Sequence, residues 1–170
     1  MPSSLPKPAL YSRPGGVVSI PGPALQELLR AILKRRVPFR FQARGFSMHP
    51  FIRDGDVVTV SPEPVGEMCL GDVVAFCHPN TGRLVVHRLV GQRPGGYLIR
   101  GDNSSEEDGL IPPEKMLGLV TRVERRGRKV RLGQGPERRL IAWLARHDLL
   151  QPLIFRAWQV LHPFAWRSPA

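Results

Sequence analysis

Short apolar runs rich in Val, Ile, Leu and Phe fill the middle of the chain, and each is closed off by Gly, Pro, Asn or Asp. Val37 to Phe41 alternates like a strand, and Val57-Val58-Thr59-Val60 is β-branched and followed by Pro62 and Pro64. Val73 to Phe76, Leu84 to Val90, Tyr97 to Arg100, Leu117 to Val123 and Lys129 to Leu132 follow, separated by turn residues such as Asn80-Thr81-Gly82 and Pro94-Gly95-Gly96. Six or seven short strands so spaced predict a mainly β domain, a folded-over or barrel-like antiparallel sheet. The phrase Gly-Asp-Val-Val occurs at 55–58 and again at 71–74. It reads as the same turn chemistry feeding two buried strands, since four residues are too few for a structural repeat.

The period changes at both ends. From Pro23, Leu25, Leu28, Leu29, Ile32 and Leu33 recur at the helical spacing, and Lys34-Arg35-Arg36 supplies a cationic last turn, so a leading helix is expected over 23–36. Residues 1–21, rich in Pro, Ser and Gly, read as a flexible arm. After Gly135-Pro136, two short helices are expected over 137–150 and 152–161. The domain plan is thus an arm, a β domain over 22–135 with its leading helix, and a helical amphipathic tail over 136–170.

Composition narrows the class. The chain has 170 residues, 42% of them apolar, enough for one domain with a real core. Cys69 and Cys77 have no metal-type spacing and read as buried thiols, with a disulfide left open. Neither a metal nor another cofactor is expected.

The net charge is +11 and uneven. Lys34, Arg35, Arg36, Arg40, Arg44 and Arg53 follow one another with no acid between them. Such a surface suits an anionic partner, and reads equally as a solubilising face. No helix-turn-helix or zinc-finger pattern supports specific nucleic-acid reading. In the tail, Trp143, Phe155, Trp158, Phe164 and Trp166 stand beside Arg138, Arg139, Arg146, Arg156 and Arg167. That mixture would suit an anionic membrane surface, and equally a helical hairpin packed on the β domain. No apolar run approaches the roughly 20 residues needed to span a bilayer. The N-terminal stretch also lacks the order of a secretory signal. A cytoplasmic or peripherally membrane-associated protein is expected.

Ser47 lies in Gly45-Phe46-Ser47-Met48-His49-Pro50, between a flexible Gly and a rigid Pro, where its Oγ could be exposed at a bend. Alone, that is a turn serine. His87 interrupts the apolar run Val85-Val86-His87-Arg88-Leu89, a polar residue in a strand that needs a reason. The segment from Asp102 to Asp108 is an acidic loop in a basic protein, able to orient an imidazole. Nucleophile, base and acid would then sit on one β domain. His49 adjoins the nucleophile, but neighbours on an extended chain point apart.

Gly45-Phe46-Ser47-Met48-His49-Pro50 followed by Gly55-Asp56, Gly71-Asp72-Val73-Val74, His87-Arg88, and Gly101-Asp102-Asn103 with Asp108, in this order over residues 41–123, resemble the signal peptidase family and the related LexA-type self-cleaving proteins. The resemblance implies Ser47 as nucleophile in a Ser-Met-x-Pro box. Where the main bacterial type and LexA-type proteins carry a Lys base, this chain has His87, as in the Ser-His subtype of archaeal and endoplasmic-reticulum enzymes. It implies Asp108 as the acid that completes the set, and Asp102 as an acid that shapes the site and hydrogen-bonds near the base. The position where some members add an oxyanion hydroxyl is Gly45, so backbone donors are expected, and Met48 would line the substrate cleft. The implied partner is a peptide or protein with a leader-like or signal-like segment, held extended along a strand edge. With no apolar run of spanning length in these residues, a counterpart of the family's usual membrane anchor is not expected. The other readings are a basic, non-catalytic module binding membrane or nucleic acid, and a LexA-type self-cleaving regulator.

Overall fold

The computed structural model describes residues 35–62 and 65–161, with five further positions between 24 and 32. Among them eight strands form a single antiparallel sheet: β1 (Phe39–Gln42), β2 (Val57–Ser61), β3 (Val73–Cys77), β4 (Leu84–Arg93), β5 (Gly96–Arg100), β6 (Glu107–Ile111), β7 (Met116–Arg125) and β8 (Arg128–Lys129). Their order is β1-β2-β7-β3-β4-β5-β6, with β8 attached to β7. Two helices follow, α1 (Arg138–Arg146) and α2 (Leu150–Leu161). The expected mainly β fold with a C-terminal helical tail is therefore observed. The arm over 1–21 and most of the leading helix over 23–36 lie outside the described residues.

The sheet folds over because strands change partners. Leu84 to Arg88 of β4 pair with β3, whereas Arg88 to Arg93 pair with β5. Bulges at Leu89/Gly91, Ala75/Phe76 and Thr59/Val60 bend the ladders. β3 is buried along its whole length and serves two cores. Val73, Ala75 and Cys77 join Val58, Val60 and Val123 on one face; Val74 and Phe76 join Ile99 and Ile111 on the other, as the two-residue period requires.

The two Gly-Asp-Val-Val phrases build the same turn. Asp56 accepts the Arg53 N–H at 2.8 Å and Asp72 accepts the Cys69 N–H at 2.8 Å, each with a left-handed Gly just before it. Each carboxylate also takes an arginine, Arg125 on Asp56 and Arg138 on Asp72. The helical tail packs on this frame. Ile141, Ala142 and Ala145 of α1 are buried with Phe51, Val90, Leu98 and Leu150. Gly71 is required there, since a Cβ would stand 2.6 Å from the Arg138 carbonyl.

Three expectations need correction. The acidic segment is not all loop, because Glu107–Ile111 forms β6, with Glu107 registered against Arg100 of β5. Cross-strand pairing outweighs the turn preference of Glu-Asp-Gly. The last strand is two residues long and gives way to a turn before α1. Cys77 is buried as expected, but Cys69 is exposed in the turn before Gly71; both thiols are free.

Candidate active site

Ser47 is held at a bend by its neighbours. Gly45 takes a φ of +95° and donates its N–H to Asp54 Oδ1 at 2.9 Å. The Met48 side chain plugs into the first core at 5% exposure, which leaves the adjacent Ser47 facing outward. The Ser47 carbonyl accepts the Asn103 N–H at 2.7 Å, and the Asn103 amide donates to the Phe46 carbonyl at 3.3 Å. The bend is thus clamped to the turn that follows β5.

His87 comes from β4 and Asp108 from β6, so three separate elements converge. Ser47 Oγ lies 2.7 Å from His87 Nε2, and His87 Nδ1 lies 2.5 Å from Asp108 Oδ2. With the proton on Nδ1, the imidazole donates to Asp108 and presents an acceptor to the Ser47 hydroxyl. His87 is 8% exposed, its ring 6.3 Å from that of Phe76, and its Nε2 meets the exposed Ser47. Among the described residues the Ser47 N–H has no acceptor, which leaves it free to serve an incoming oxygen.

Asp102 stands apart from this chain. It pairs bidentately with Arg88, both bonds 2.7 Å and both side chains without exposure. Arg88 also donates to the carbonyls of Gly71 and Gly133, at 2.8 and 3.0 Å, and lies over the Phe51 ring. Asp102 therefore fixes the residue next to His87 without touching the imidazole. Two residues of this neighbourhood were not singled out in the sequence. Asn103 clamps the Ser47 bend, and Gly101 leaves room for it: a Cβ there would stand 2.7 Å from the Ser47 carbonyl and 3.0 Å from His87 Nε2. Their signal was the Gly-Asp-Asn triplet itself, whose acid alone drew a role.

The three groups open on a groove of about 530 Å³ lined by Phe41, Met48, Ile52, Leu84, Val86 and the site residues, Gly45 among them. Met48 thus serves both cleft and core. Two strand edges border the groove. β1 pairs only with β2, and Leu84 to His87 of β4 pair only with β3 among the described residues. A larger cavity of about 1010 Å³, lined by Cys69, Asp72, Arg131 and Arg138, includes none of Ser47, His87 or Asp108.

His49 does not join the chain of hydrogen bonds. Burial first, then Arg53 and Arg125, hold its pKa below the usual histidine value. Burial raises the Asp56 carboxyl, but its bonds from Arg125 and the Arg53 N–H outweigh that and leave its pKa lowered. Among the described residues no group of His, Cys, Asp and Glu is arranged to hold a metal.

A serine and an imidazole in contact, beside a cleft with free strand edges, are the arrangement a serine peptidase would use. The family model described as Peptidase S24-like matches residues 27–123, and the chain belongs to that family of serine-type peptidases. The family falls in the clan that holds LexA and the signal peptidases. No curated protein sequence matches the chain.

Proposed function

We propose that the protein is a serine endopeptidase of Ser-His type that cuts an extended, leader-like segment in the groove between β1 and β4. The observation that carries this reading is the unbroken hydrogen-bond chain from Ser47 through His87 to Asp108, opening on that groove. His87 takes the Ser47 proton as Oγ attacks the scissile carbonyl, and returns it to the leaving amine. Asp108 holds the Nδ1–H tautomer and stabilises the imidazolium that forms. The Ser47 N–H receives the developing oxyanion. The free edges of β1 and of Leu84–His87 offer main-chain partners to an extended peptide, and Met48, Ile52 and Val86 favour small or apolar side chains beside the cut.

The test is covalent labelling with a fluorophosphonate followed by peptide mapping. Label on Ser47, lost in both Ser47→Ala and His87→Ala, supports the reading. A folded wild-type chain that takes no label at Ser47 sinks it.

A second surface supports a location for the activity. Leu140, Trp143, Leu153 and Phe155 are all exposed on α1 and α2 beside exposed Arg139, Arg146 and Arg156. Among the described residues no helix is long and apolar enough to cross a membrane. This face supports peripheral attachment to an anionic bilayer, with one β peptidase domain and its helical tail acting together.

A further inference from the structure

The groove has apolar lining residues and three arginines among them. Arg44 from the loop after β1, Arg53 from the turn after Ser47, and Arg83 just before β4 all line it, and the carboxylate in the lining is Asp108, already committed to His87. The protein pairs many of its other arginines with acids: Arg40 and Arg122 with Glu124, Arg88 with Asp102, Arg100 with Asp148, Arg125 with Asp56. At the groove it does not. Arg53 donates to the Pro50 carbonyl at 3.3 Å, Arg83 has no carboxylate partner among the described residues, and Arg44 meets Asp54 only at a loose, exposed 3.8 Å.

We propose that these arginines select the substrate: an extended segment with a small or apolar centre and acidic side chains to one side of the cut. This rests on the peptidase reading of the same groove and names its substrate class. Arg83 stands just before β4, the strand whose edge is free, and precedes His87 by four residues, about 13 Å at roughly 3.3 Å per residue. A peptide added along that edge places the residue four positions from the scissile bond beside the Arg83 guanidinium. Arg44 and Arg53 line the same groove. Glu106 and Glu107, both exposed next to Asp108, repel acids there and give the groove a direction. Residues 1–26 of this chain contain Lys7 and Arg13 but no acid, so the arm is a poor match and the preferred substrate is a different polypeptide.

The experiment uses quenched peptides of about a dozen residues with one Ala-rich centre, carrying Glu, Gln or Lys about four residues from its middle, on one side or the other. Cleavage is followed with the wild-type chain, and binding with the Ser47→Ala chain. On one side only, Glu should beat Gln by roughly three- to tenfold, through KM and Kd, and Lys should fall below Gln. High salt should shrink the gap. Arg83→Gln with Arg53→Gln should remove it, while Arg131→Gln with Arg139→Gln, remote from the groove and of equal charge change, should leave it intact. Equal Kd for Glu and Gln peptides, no binding of any peptide, or a preference lost in the remote pair instead, overturns the proposal. Ser47-dependent cleavage that ignores the charge would discard this specificity and keep the peptidase. Cleavage that survives Ser47→Ala would discard the peptidase reading itself.

Discussion

Replacing Gly101 by Ala should uncouple the site while leaving the sheet standing. No left-handed φ is required at 101, so the backbone accepts a side chain and the cost is purely one of space. The added Cβ would lie 2.7 Å from the Ser47 carbonyl oxygen, about 0.7 Å inside a relaxed contact. That oxygen is backbone, and it already accepts the Asn103 N–H at 2.7 Å, so the strain passes to the serine bend. His87 Nε2, 3.0 Å from the same Cβ, is pressed from the other side. Moving either partner by about half an ångström opens the 2.7 Å Ser47–His87 contact beyond good hydrogen-bond length. The expected results are a fall in kcat and in labelling rate of about 100-fold, and a loss of roughly 1–3 kcal/mol in stability. The assay pairs peptide turnover with thermal melting, and Gly66→Ala serves as control because nothing lies within 4 Å of a Cβ there. A Gly101→Ala chain with wild-type kcat would refute the claim that this glycine holds the site open.

The two acids should separate cleanly in mutagenesis. Asp108→Asn is expected to lower kcat by roughly 100-fold or more with little change in melting temperature. Asp102→Asn strands the fully buried Arg88 charge and should cost about 3–5 kcal/mol, read as a melting temperature lower by on the order of 10 °C; equal melting of the two variants would contradict this. Because the Asp56 pKa is depressed by folding, its contribution to stability is present above the ordinary carboxylate range and is lost as pH falls through the lowered value. Melts taken from neutral to about pH 2 should therefore show a shallower acid limb for Arg125→Met than for wild type, and superimposable limbs would show the pair to be inert. For the tail, Leu140→Gln with Trp143→Gln is a better probe than truncation, since removing α1 would uncover Phe51, Val90 and Leu98. Binding to phosphatidylserine vesicles, salt-sensitive and weakened by that pair, is expected; binding unchanged by it would place the membrane contact elsewhere or nowhere.

Much of this was legible in the chain, because period and turn chemistry are local. Runs such as Val73 to Phe76, bounded by Gly-Asp, could be read as strands without knowing their neighbours. The bend at Ser47 follows likewise from a flexible Gly and a rigid Pro on either side of Phe46-Ser47-Met48-His49. The apolar run Val85-Val86-His87-Arg88-Leu89 also marked His87 as a polar residue that a core strand must justify, and Arg88 beside it proves to need the same. What their justifications were, it left open. Arg88 is satisfied by an acid and two carbonyls brought from far along the chain, and His87 by Ser47 and Asp108, contacts that no window of ten residues contains.

Fold class and the two turn-forming aspartates were thus legible in the sequence itself, since each rests on residue type and near neighbours, whereas Ser47, His87 and Asp108 stood out as a set only through the order of boxes spread along the chain. The resemblance separated the two acids, but only the tertiary structure showed the contacts, Asp102 with Arg88 and Asp108 with the imidazole, because those partners come from elements distant in the chain. The same holds for β6, whose Glu-Asp-Gly start is poor strand sequence until β5 supplies the hydrogen bonds. It holds also for Gly101, which is an ordinary loop glycine until the Ser47 carbonyl folds against it.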